Sequence, residues 1–246
     1  MHNHQYNDNI YLGIAYKEYF FGLNHLGVNR ISVGAQSFDD ISLKRIGRTH
    51  SPAEIELFLM EVCKIFTNVN IDLMYGLPGQ NQIKVREDID TLKTFNVTHT
   101  SYYQLTIEPG TMFYSNAPKL PSEDVIWDMY SIIMNELARN GYSRYEVSAY
   151  SRDGMRCQHN MNYWEFGDYI GIGAGAHSKI TKNNSMERRI VVSNPVNYVE
   201  KIQSNNQFFK KTRHSPGAEV LFEYILNASR LTKGFKILDF EERTGL

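Results

Sequence analysis

Apolar and polar positions in the first 140 residues follow two periods, that of strands and that of helices. Apolar, strand-like runs cover Arg30–Gln36, Asn70–Tyr75 and Ser101–Ile107. Between these runs, apolar residues recur every three or four positions, which is the spacing of a helix that packs one face on a sheet. Strands separated by single helices indicate βαβ units with parallel strands. The sequence therefore predicts three parallel βα units, which are half of a barrel or of an open sheet and too few to close a barrel.

The predicted helices have recognisable ends. Ser51 and Glu54 have the spacing of a capping box, and an apolar stripe from Ile55 to Phe66 follows. A second helix is predicted over Gln82–Phe95. A third begins after Ser122, a residue type that caps helices, and ends at Gly141.

The pattern changes after residue 141. Tyr142–Tyr150 alternates enough to predict a strand, and the segment His159–Trp164 is predicted to lie in a loop. The remaining predicted elements are a strand at Arg188–Val192, helices at Asn194–Gln203 and Pro216–Leu231, and a helix that starts near Phe240. We therefore expect an α/β fold class, with three parallel βα units followed by an α+β extension.

Composition excludes several classes of protein. The net charge of −1 gives no general attraction to nucleic acid or anionic membranes, so we expect no nucleic-acid partner and at most peripheral membrane association. No apolar run reaches the length of a membrane span, and the polar start lacks a signal peptide. The two cysteines, Cys63 and Cys157, form no CxxC pattern, which fits a soluble protein of the reducing cytoplasm.

Three polar residues near the predicted strand ends form the first candidate site. Gln36 and Asp72 lie at or near the ends of two strands, and Arg48 lies in the connection between them. Such ends face the ligand crevice of a parallel sheet. A carboxylate that binds hydroxyls and a guanidinium that binds a carboxylate suit a zwitterionic ligand with a ribose. The alternative is an ion pair between Arg48 and Asp72 that only holds the loop.

Two histidines, His159 and His177, flank a segment rich in small and aromatic residues. An imidazole beside Tyr163 and Trp164 is suited to ligate a haem iron, and a histidine satisfied in a core is the alternative. The other six histidines have the pattern of surface or loop residues. Gly171–Gly175 resembles a phosphate-binding loop, but no capped helix follows it directly, so a tight turn or close backbone packing is the favoured interpretation.

Five motifs then occur in a specific order: GVNRISVGAQSF (27–38), LKRIGR (43–48), NIDLMYGLP (70–78), YQLTIEP (103–109) and HNMNYW (159–164). Together they resemble HemW, the haem chaperone of the radical S-adenosylmethionine (SAM) superfamily, which was long labelled as similar to oxygen-independent coproporphyrinogen III oxidase. The resemblance runs from about Gly27 to the last residue.

The resemblance implies roles for the candidate residues. Gln36, Arg48 and Asp72 are expected to contact SAM. His159 is expected to ligate haem iron, with Tyr163 or Trp164 packing on the porphyrin and His177 as the alternative ligand. The His-Asn-x-x-Tyr-Trp motif also separates HemW from the true anaerobic oxidase.

The departures from the family are equally specific. The CxxxCxxC motif that ligates the family's [4Fe–4S] cluster is absent, as are a Gly-Gly-Thr segment and a glutamate that hold the methionine part of SAM. We therefore expect a form truncated at both ends, with weak SAM binding and no radical chemistry by this chain alone. The expected domains are a divergent segment (1–26), a partial radical SAM barrel (27–141) and a HemW-type extension that includes the start of a C-terminal helical domain (142–246).

Three functions remain open on this basis. The first is a HemW-type haem chaperone that serves an unidentified haem-acceptor protein. The second is a fragment of a coproporphyrinogen III oxidase-type enzyme of porphyrin biosynthesis, active only if a separate chain supplies the cluster half. The third is a decayed remnant without activity.

Overall fold

The computed structural model of the chain describes residues 14–182, 185–214 and 217–246. The chain folds as two compact units, which meet in sequence at Arg156 and Cys157. No helix within the described ranges is long and apolar enough to cross a membrane. The expected functional division at residues 141 and 142 stays a prediction. The first half of the expected divergent segment, residues 1–13, lies outside the described residues.

The first unit is built on a five-stranded sheet. Its parallel strands are β1 (Arg30–Gln36), β2 (Asn68–Tyr75) and β3 (His99–Gln104), and two short antiparallel strands, β4 (Ser143–Arg144) and β5 (Ala149–Ser151), extend it in the order β1-β2-β3-β5-β4. The helices are α1 (Ile14–His25), α2 (Asp40–Arg45), α3 (Pro52–Ile65), α4 (Gln82–Thr94), α5 (Met112–Ser115) and α6 (Glu123–Arg139). The prediction of an α/β fold with three parallel βα units is confirmed.

The two faces of this sheet have opposite character. Residues 69, 71 and 73 of β2 alternate onto the face that α3, α4 and α6 cover, and all three are buried. Residues 70, 72 and 74 lie on the other face because side chains alternate along a strand. That face also carries Ser32 and Gly34 of β1, both exposed. Asp72 is therefore half-buried on a polar face. It does not lie in the apolar interior, although its neighbours in sequence are apolar and buried.

Element ends agree with the sequence where a local signal defines them. The capping box is formed, with the Ser51 hydroxyl accepting from the Glu54 N–H and the Glu54 carboxylate accepting from the Ser51 N–H. Ser122 occupies the N-cap position of α6, but its side chain makes no capping hydrogen bond.

The predicted strand over Tyr142–Tyr150 is wrong. A turn divides this segment into β4 and β5, and the Glu146 carboxylate closes the turn by accepting from the N–H of Ser148 at 3.0 Å. Tyr142, Tyr145 and Tyr150 of this segment are buried at intervals of three and five residues, which is not the period of a strand.

The second unit contains an antiparallel sheet in the order β6-β7-β8, formed by β6 (His177–Lys182), β7 (Ser185–Val191) and β8 (Phe209–His214). Its helices are α7 (Gln158–Trp164), α8 (Pro195–Gln203), α9 (Ala218–Ala228) and α10 (Ile237–Thr244). Its small core is formed by Phe166, Met186, Val220, Tyr224 and Ala228. The loop predicted at His159–Trp164 is in fact helix α7. The strands β6 and β8 were not predicted, because each is polar and depends on pairing with β7.

Candidate functional site

The polar face of the first unit places Asp72 in a hydrogen-bonded group. The amide nitrogen of Asn70 donates to Oδ1 of Asp72 at 2.7 Å and to Oγ of Ser32 at 2.6 Å. The Ser32 hydroxyl donates to Oδ2 of Asp72 at 3.2 Å. Each carboxylate oxygen thus has one protein donor and retains acceptor capacity for a ligand hydroxyl. This arrangement orients Asp72 towards the uncovered side of the sheet.

A second layer of bonds lies behind Asn70. The Nδ1 of His99 lies 2.6 Å from Oδ1 of Asn70, and its Nε2 lies 2.8 Å from the hydroxyl of Tyr145. Since the Asn70 nitrogen faces a carboxylate, its oxygen must accept, so His99 carries its proton on Nδ1 and accepts from Tyr145 on Nε2. A continuous chain of hydrogen bonds therefore runs from Tyr145 to Asp72.

His99 is completely buried, although the sequence pattern indicated a surface or loop residue. Burial, with the nearby charge of Arg30, lowers the pKa of its imidazole to about 3. Sequence reasoning missed His99 and Asn70 as parts of the site. Spacing offered a signal for both residues. Asn70 lies two positions from Asp72, and His99 lies two positions from Ser101, the first residue of the third predicted strand. An interval of two places strand residues on one face of the sheet.

Gln36 ends β1 in an unusual backbone conformation. Its φ of 68° is left-handed, and the pairing register with β2 shifts between Gly34 and Gln36. A Cβ added to Gly34 would lie 2.6 Å from Nε2 of Gln36, so the amide folds back over Gly34. Gly34 pairs with Asp72 across the strands. The bulge therefore brings Gln36 and Asp72 to neighbouring places on one face.

Arg48 is not joined to this group. Its side chain is exposed in the segment between α2 and α3, and within the described part of the chain it forms no ion pair with Asp72. The ion pair considered as an alternative role is therefore not formed. The guanidinium remains available to a ligand carboxylate.

A buried carboxyl group supports the loop that follows Gln36. Asp88 of α4 accepts from the N–H of Phe38 at 2.6 Å and from the hydroxyl of Ser37 at 3.1 Å. Burial raises the pKa of Asp88 to about 7, and the nearby charge of Asp39 adds to this increase, whereas the two hydrogen bonds oppose it. Asp88 lies at a core-facing position of an amphipathic helix, where the sequence pattern predicts an apolar residue.

The motif at residues 159–164 forms an exposed aromatic cluster in the second unit. The His159 ring packs edge-on against Tyr163, with ring centroids 4.8 Å apart, one helical turn along α7. Tyr163 in turn lies 4.5 Å from the ring of Tyr169. Both His159 and His177 are exposed, which does not agree with the alternative of a core histidine.

Trp164 forms a second part of this cluster. The guanidinium of Arg230 lies over its indole at 4.3 Å, and the buried indole N–H has no hydrogen-bond partner among the described residues. The Asn162 amide donates to the backbone oxygen of Asp168 at 3.0 Å, in space that a side chain at Gly167 would occupy. The end of α7 is thus fixed by specific contacts.

The run Gly171–Gly175 forms a turn before β6, as the favoured interpretation predicted. Gly173 and Gly175 have positive φ values of 108° and 74°. A Cβ on Gly171 would collide with the backbone of His177, so this glycine permits a close approach of two backbone segments.

The residues of the two candidate sites differ in how well they fit SAM, haem and a [4Fe–4S] cluster. The carboxylate of Asp72 and the amide of Gln36 on an open face fit a nucleoside. The exposed imidazole of His159 beside aromatic rings fits an axial haem ligand. A [4Fe–4S] cluster does not fit, because Cys63 and Cys157 lie in different units, and no group of three His, Cys, Asp or Glu side chains in the described ranges could hold a metal ion.

Comparison with known proteins gives a consistent result. The Radical SAM superfamily matches residues 10–92, a range that starts upstream of the first motif. The chain is 40% identical over 233 residues to the "Heme chaperone HemW" of Buchnera aphidicola subsp. Schizaphis graminum, covering 95% of this chain and 61% of that protein. It is 38% identical over 236 residues to HemW of Escherichia coli, with the same two coverages.

Two further comparisons extend this result. The mitochondrial "Radical S-adenosyl methionine domain-containing protein 1" of Mus musculus is 36% identical over 217 residues, covering 85% of this chain and 49% of that protein. The structure of coproporphyrinogen III oxidase (HemN) from Escherichia coli superposes with a TM-score of 0.72 at 18% identity, covering 94% of this chain and 56% of that one, and shows the shared fold. This chain spans about three fifths of the length of the HemW relatives above. The chain is thus similar to HemW over 95% of its length, and its first third matches the Radical SAM superfamily.

Proposed function

We propose that this chain is a haem-binding protein of the HemW type that also binds the nucleoside part of SAM. The observation that carries the proposal is the similarity to proteins named haem chaperones, which at 38–40% identity covers 95% of this chain. That similarity includes both the strand ends of the first unit and the α7 motif of the second.

In the haem site, His159 supplies the axial imidazole and Tyr163 or Trp164 packs on the porphyrin. The exposure of His159 supports this role because an iron can approach its ring without displacing a core. The edge-on contact with Tyr163 limits the rotation of the imidazole. His177, also exposed in this unit, is the alternative ligand.

Haem titration followed at the Soret band tests the site. We expect His159→Ala to lose the ligand-dependent Soret shift, while His177→Ala and the control His25→Ala, an exposed histidine of the first unit, retain it. Loss in His177→Ala alone would make His177 the ligand. If haem titrations of His159→Ala and His177→Ala both match the parent, haem ligation by this chain would be refuted.

In the nucleoside site, Asp72 accepts hydroxyls of the ribose, Gln36 contacts the ligand from the β1 bulge and Arg48 binds the ligand carboxylate. In the superfamily that this chain resembles, a [4Fe–4S] cluster chelates the amino and carboxylate groups of SAM. The two cysteines of this chain do not fit such a cluster, because they lie in different units. We therefore expect SAM binding to the chain alone to be weak, since each lost contact costs about 1–3 kcal/mol.

Calorimetric titration with SAM measures this affinity. We expect a dissociation constant well above the micromolar range, with the residual heat abolished in Asp72→Ala and retained in Asp153→Asn, an exposed carboxylate remote in sequence. Low-micromolar binding that requires Asp72 would confirm the site and contradict the expected weakness. Binding that is indifferent to Asp72 would refute the site.

The other functions have less support. Similarity to HemN at 18% identity concerns the fold, so no observation on this chain favours the oxidase reaction. A haem-acceptor protein is the partner that a chaperone requires, and its identity is to be sought by transfer assays with the haem-loaded chain.

A further inference from the structure

One face of the antiparallel sheet in the second unit is covered at one end and open at the other. Residues 186, 188 and 190 of β7 share this face because side chains alternate along a strand. Met186 is 4% exposed and belongs to the core that includes α9, whereas Ile190 is 41% exposed. The sheet therefore presents an apolar side chain to solvent at the Ile190 end of this face.

The strand register places Ile190 between an imidazole and an ammonium group. Ile190 pairs with His177 of β6 and with Lys210 of β8, and directly opposed residues of antiparallel strands share a face. His177 and Lys210 are both exposed. Because neighbouring strands lie about 4.8 Å apart, the α-carbons of His177 and Lys210 are about 10 Å apart. We call these three residues, His177, Ile190 and Lys210, the open row.

The aromatic cluster of α7 lies on the same face as the open row. Tyr169 pairs with Lys179, two residues along β6 from the open row, and its hydroxyl accepts from the Arg188 guanidinium at 2.7 Å. The Tyr169 ring therefore extends across β6 towards β7, about 7 Å along the strands from the open row. Tyr163 packs on Tyr169, and His159 packs on Tyr163. The proposed haem ligand is thus held on the side of the sheet that carries Lys210.

Lys210 differs from the other cations of this sheet in its partners. The side chains of Lys179, Arg188, Arg189 and Lys211 each lie within 3.0 Å of a carboxylate oxygen. Among the lysine and arginine side chains of the sheet that the structure describes, Lys210 alone forms no ion pair. Its ammonium group therefore remains available to an anionic group of a ligand.

We propose that the open row binds the propionate-bearing edge of haem, with the Lys210 ammonium paired to a propionate carboxylate and Ile190 in contact with the porphyrin ring. This inference rests on the haem binding proposed above and adds the group that recognises the carboxylates. Haem combines an iron, an apolar ring and carboxylates. The histidines, Ile190 and Lys210 of this face match those three parts in chemistry.

Haem titrations of the 246-residue chain, followed at the Soret band, test the assignment. We expect Lys210→Gln to weaken haem binding about fivefold, the effect of one partly exposed ion pair. The Soret maximum of the bound haem should stay in place, because the axial ligand is unchanged. Lys210→Arg keeps the charge and should bind haem as the parent does. High salt should reduce the difference between the parent and Lys210→Gln, because it screens an exposed ion pair.

Haem dimethyl ester, whose esterified propionates carry no charge, separates recognition of the carboxylates from contact with the ring. It should bind equally to the parent and to Lys210→Gln. Ile190→Ser should weaken both haem and the ester, because the ring loses an apolar contact. Lys211→Gln is the matched control, since it removes the same charge from the next residue on the opposite face. It should bind haem as the parent does.

The outcomes separate this inference from the function on which it rests. If the parent binds haem through His159 but Lys210→Gln binds it equally well, the role of Lys210 is refuted and the proposed function stands. An equal loss in Lys211→Gln, or an equal loss of haem and ester in Lys210→Gln, would likewise refute carboxylate recognition by Lys210. Unaltered binding of both ligands in Ile190→Ser would overturn the contact with the ring. If the parent binds no haem, the proposed function fails together with this inference.

Discussion

The imidazole of His99 donates a 2.6 Å hydrogen bond to the side-chain oxygen of Asn70. This bond fixes the orientation of the Asn70 amide, whose nitrogen then points to the carboxylate of Asp72. A buried histidine on β3 thus helps to determine the orientation of a half-buried carboxylate on β2. Four predictions follow from contacts of this kind in the first unit.

The first prediction concerns the buried imidazole. The pKa of His99 is about 3 in the folded chain, below the ordinary value of about 6.5 for an unfolded one. Between these two pH values the unfolded state binds a proton at His99 and the folded state does not. The free energy of unfolding therefore decreases as pH falls from about 6.5 towards 3. His99 changes the free energy of unfolding by at most about 1.4 kcal/mol per pH unit.

Urea unfolding of the parent and His99→Gln at pH 4, 5, 6 and 8 isolates this slope as the difference between the two proteins. Glutamine can retain a donor to Asn70 and an acceptor for Tyr145. We expect the parent to lose stability relative to the variant below pH 6.5, while His25→Gln, an exposed control, tracks the parent. If the difference in stability between the parent and His99→Gln is the same at all four pH values, the lowered pKa of His99 is contradicted.

The second prediction concerns Asp88, whose effect has the opposite sign. Its pKa is about 7 in the folded chain and about 4 when unfolded, so the stability it contributes is present at low pH and lost as pH rises from about 4 through 7. Asp88→Asn mimics the neutral carboxyl and keeps an acceptor for the Phe38 N–H. It should gain stability relative to the parent across this window and reach a plateau above it.

The same denaturation series at pH 4 to 9 measures this gain. Asp90→Asn, on the exposed side of the same helix, is the control and should follow the parent, apart from its own surface ion pair with Lys93. If Asp88→Asn is no more stable than the parent at pH 9, the carboxylate is stabilised in the folded state and our account of it is wrong.

The third prediction concerns the loop after β2. Gly79 has a φ of +68°, and a Cβ there would overlap the Arg45 guanidinium, which donates to the carbonyl of Pro78 at 2.7 Å. Gly110 has a similar φ of +83° with nothing within 4 Å of its Cβ position. Gly110→Ala should cost about 1–2 kcal/mol from the backbone alone. Gly79→Ala should cost about 0.5–1.5 kcal/mol more, because the Arg45 side chain must move away and lose its hydrogen bond to Pro78. Thermal unfolding of both variants tests this, and equal losses would contradict the steric account.

The fourth prediction concerns Asn70. Asn70→Leu removes the donor to Asp72 and leaves the Nδ1–H of His99 buried without an acceptor, which should cost about 1–3 kcal/mol of stability. It should also weaken SAM binding, because Asp72 loses its orientation. Asn68→Leu, two residues earlier on the same face, removes an acceptor of Arg30 and serves as the control. Calorimetry that shows equal SAM affinity in Asn70→Leu and the parent would contradict the positioning role.

Local signals in the sequence predicted those elements whose causes are local. The strand Arg30–Gln36 was predicted with its observed ends, and the capping box at Ser51 formed as its spacing requires. Such features depend on residues three or four positions apart. The turn predicted at Gly171–Gly175 is also local in origin, because glycine adopts positive φ without steric cost.

The sequence by itself thus determined the parallel βα order of the first unit, the positions of Gln36 and Asp72 at or near strand ends, and the resemblance to HemW. Only the tertiary structure decided which other segments lie beside Asp72 and Asn70, because Ser32, His99 and Tyr145 come from distant parts of the chain. It also decided that His99 is neutral and that Asp88 holds the loop after Gln36. Burial and hydrogen bonding set those properties, and both depend on which distant segments pack together, which no spacing along the chain encodes.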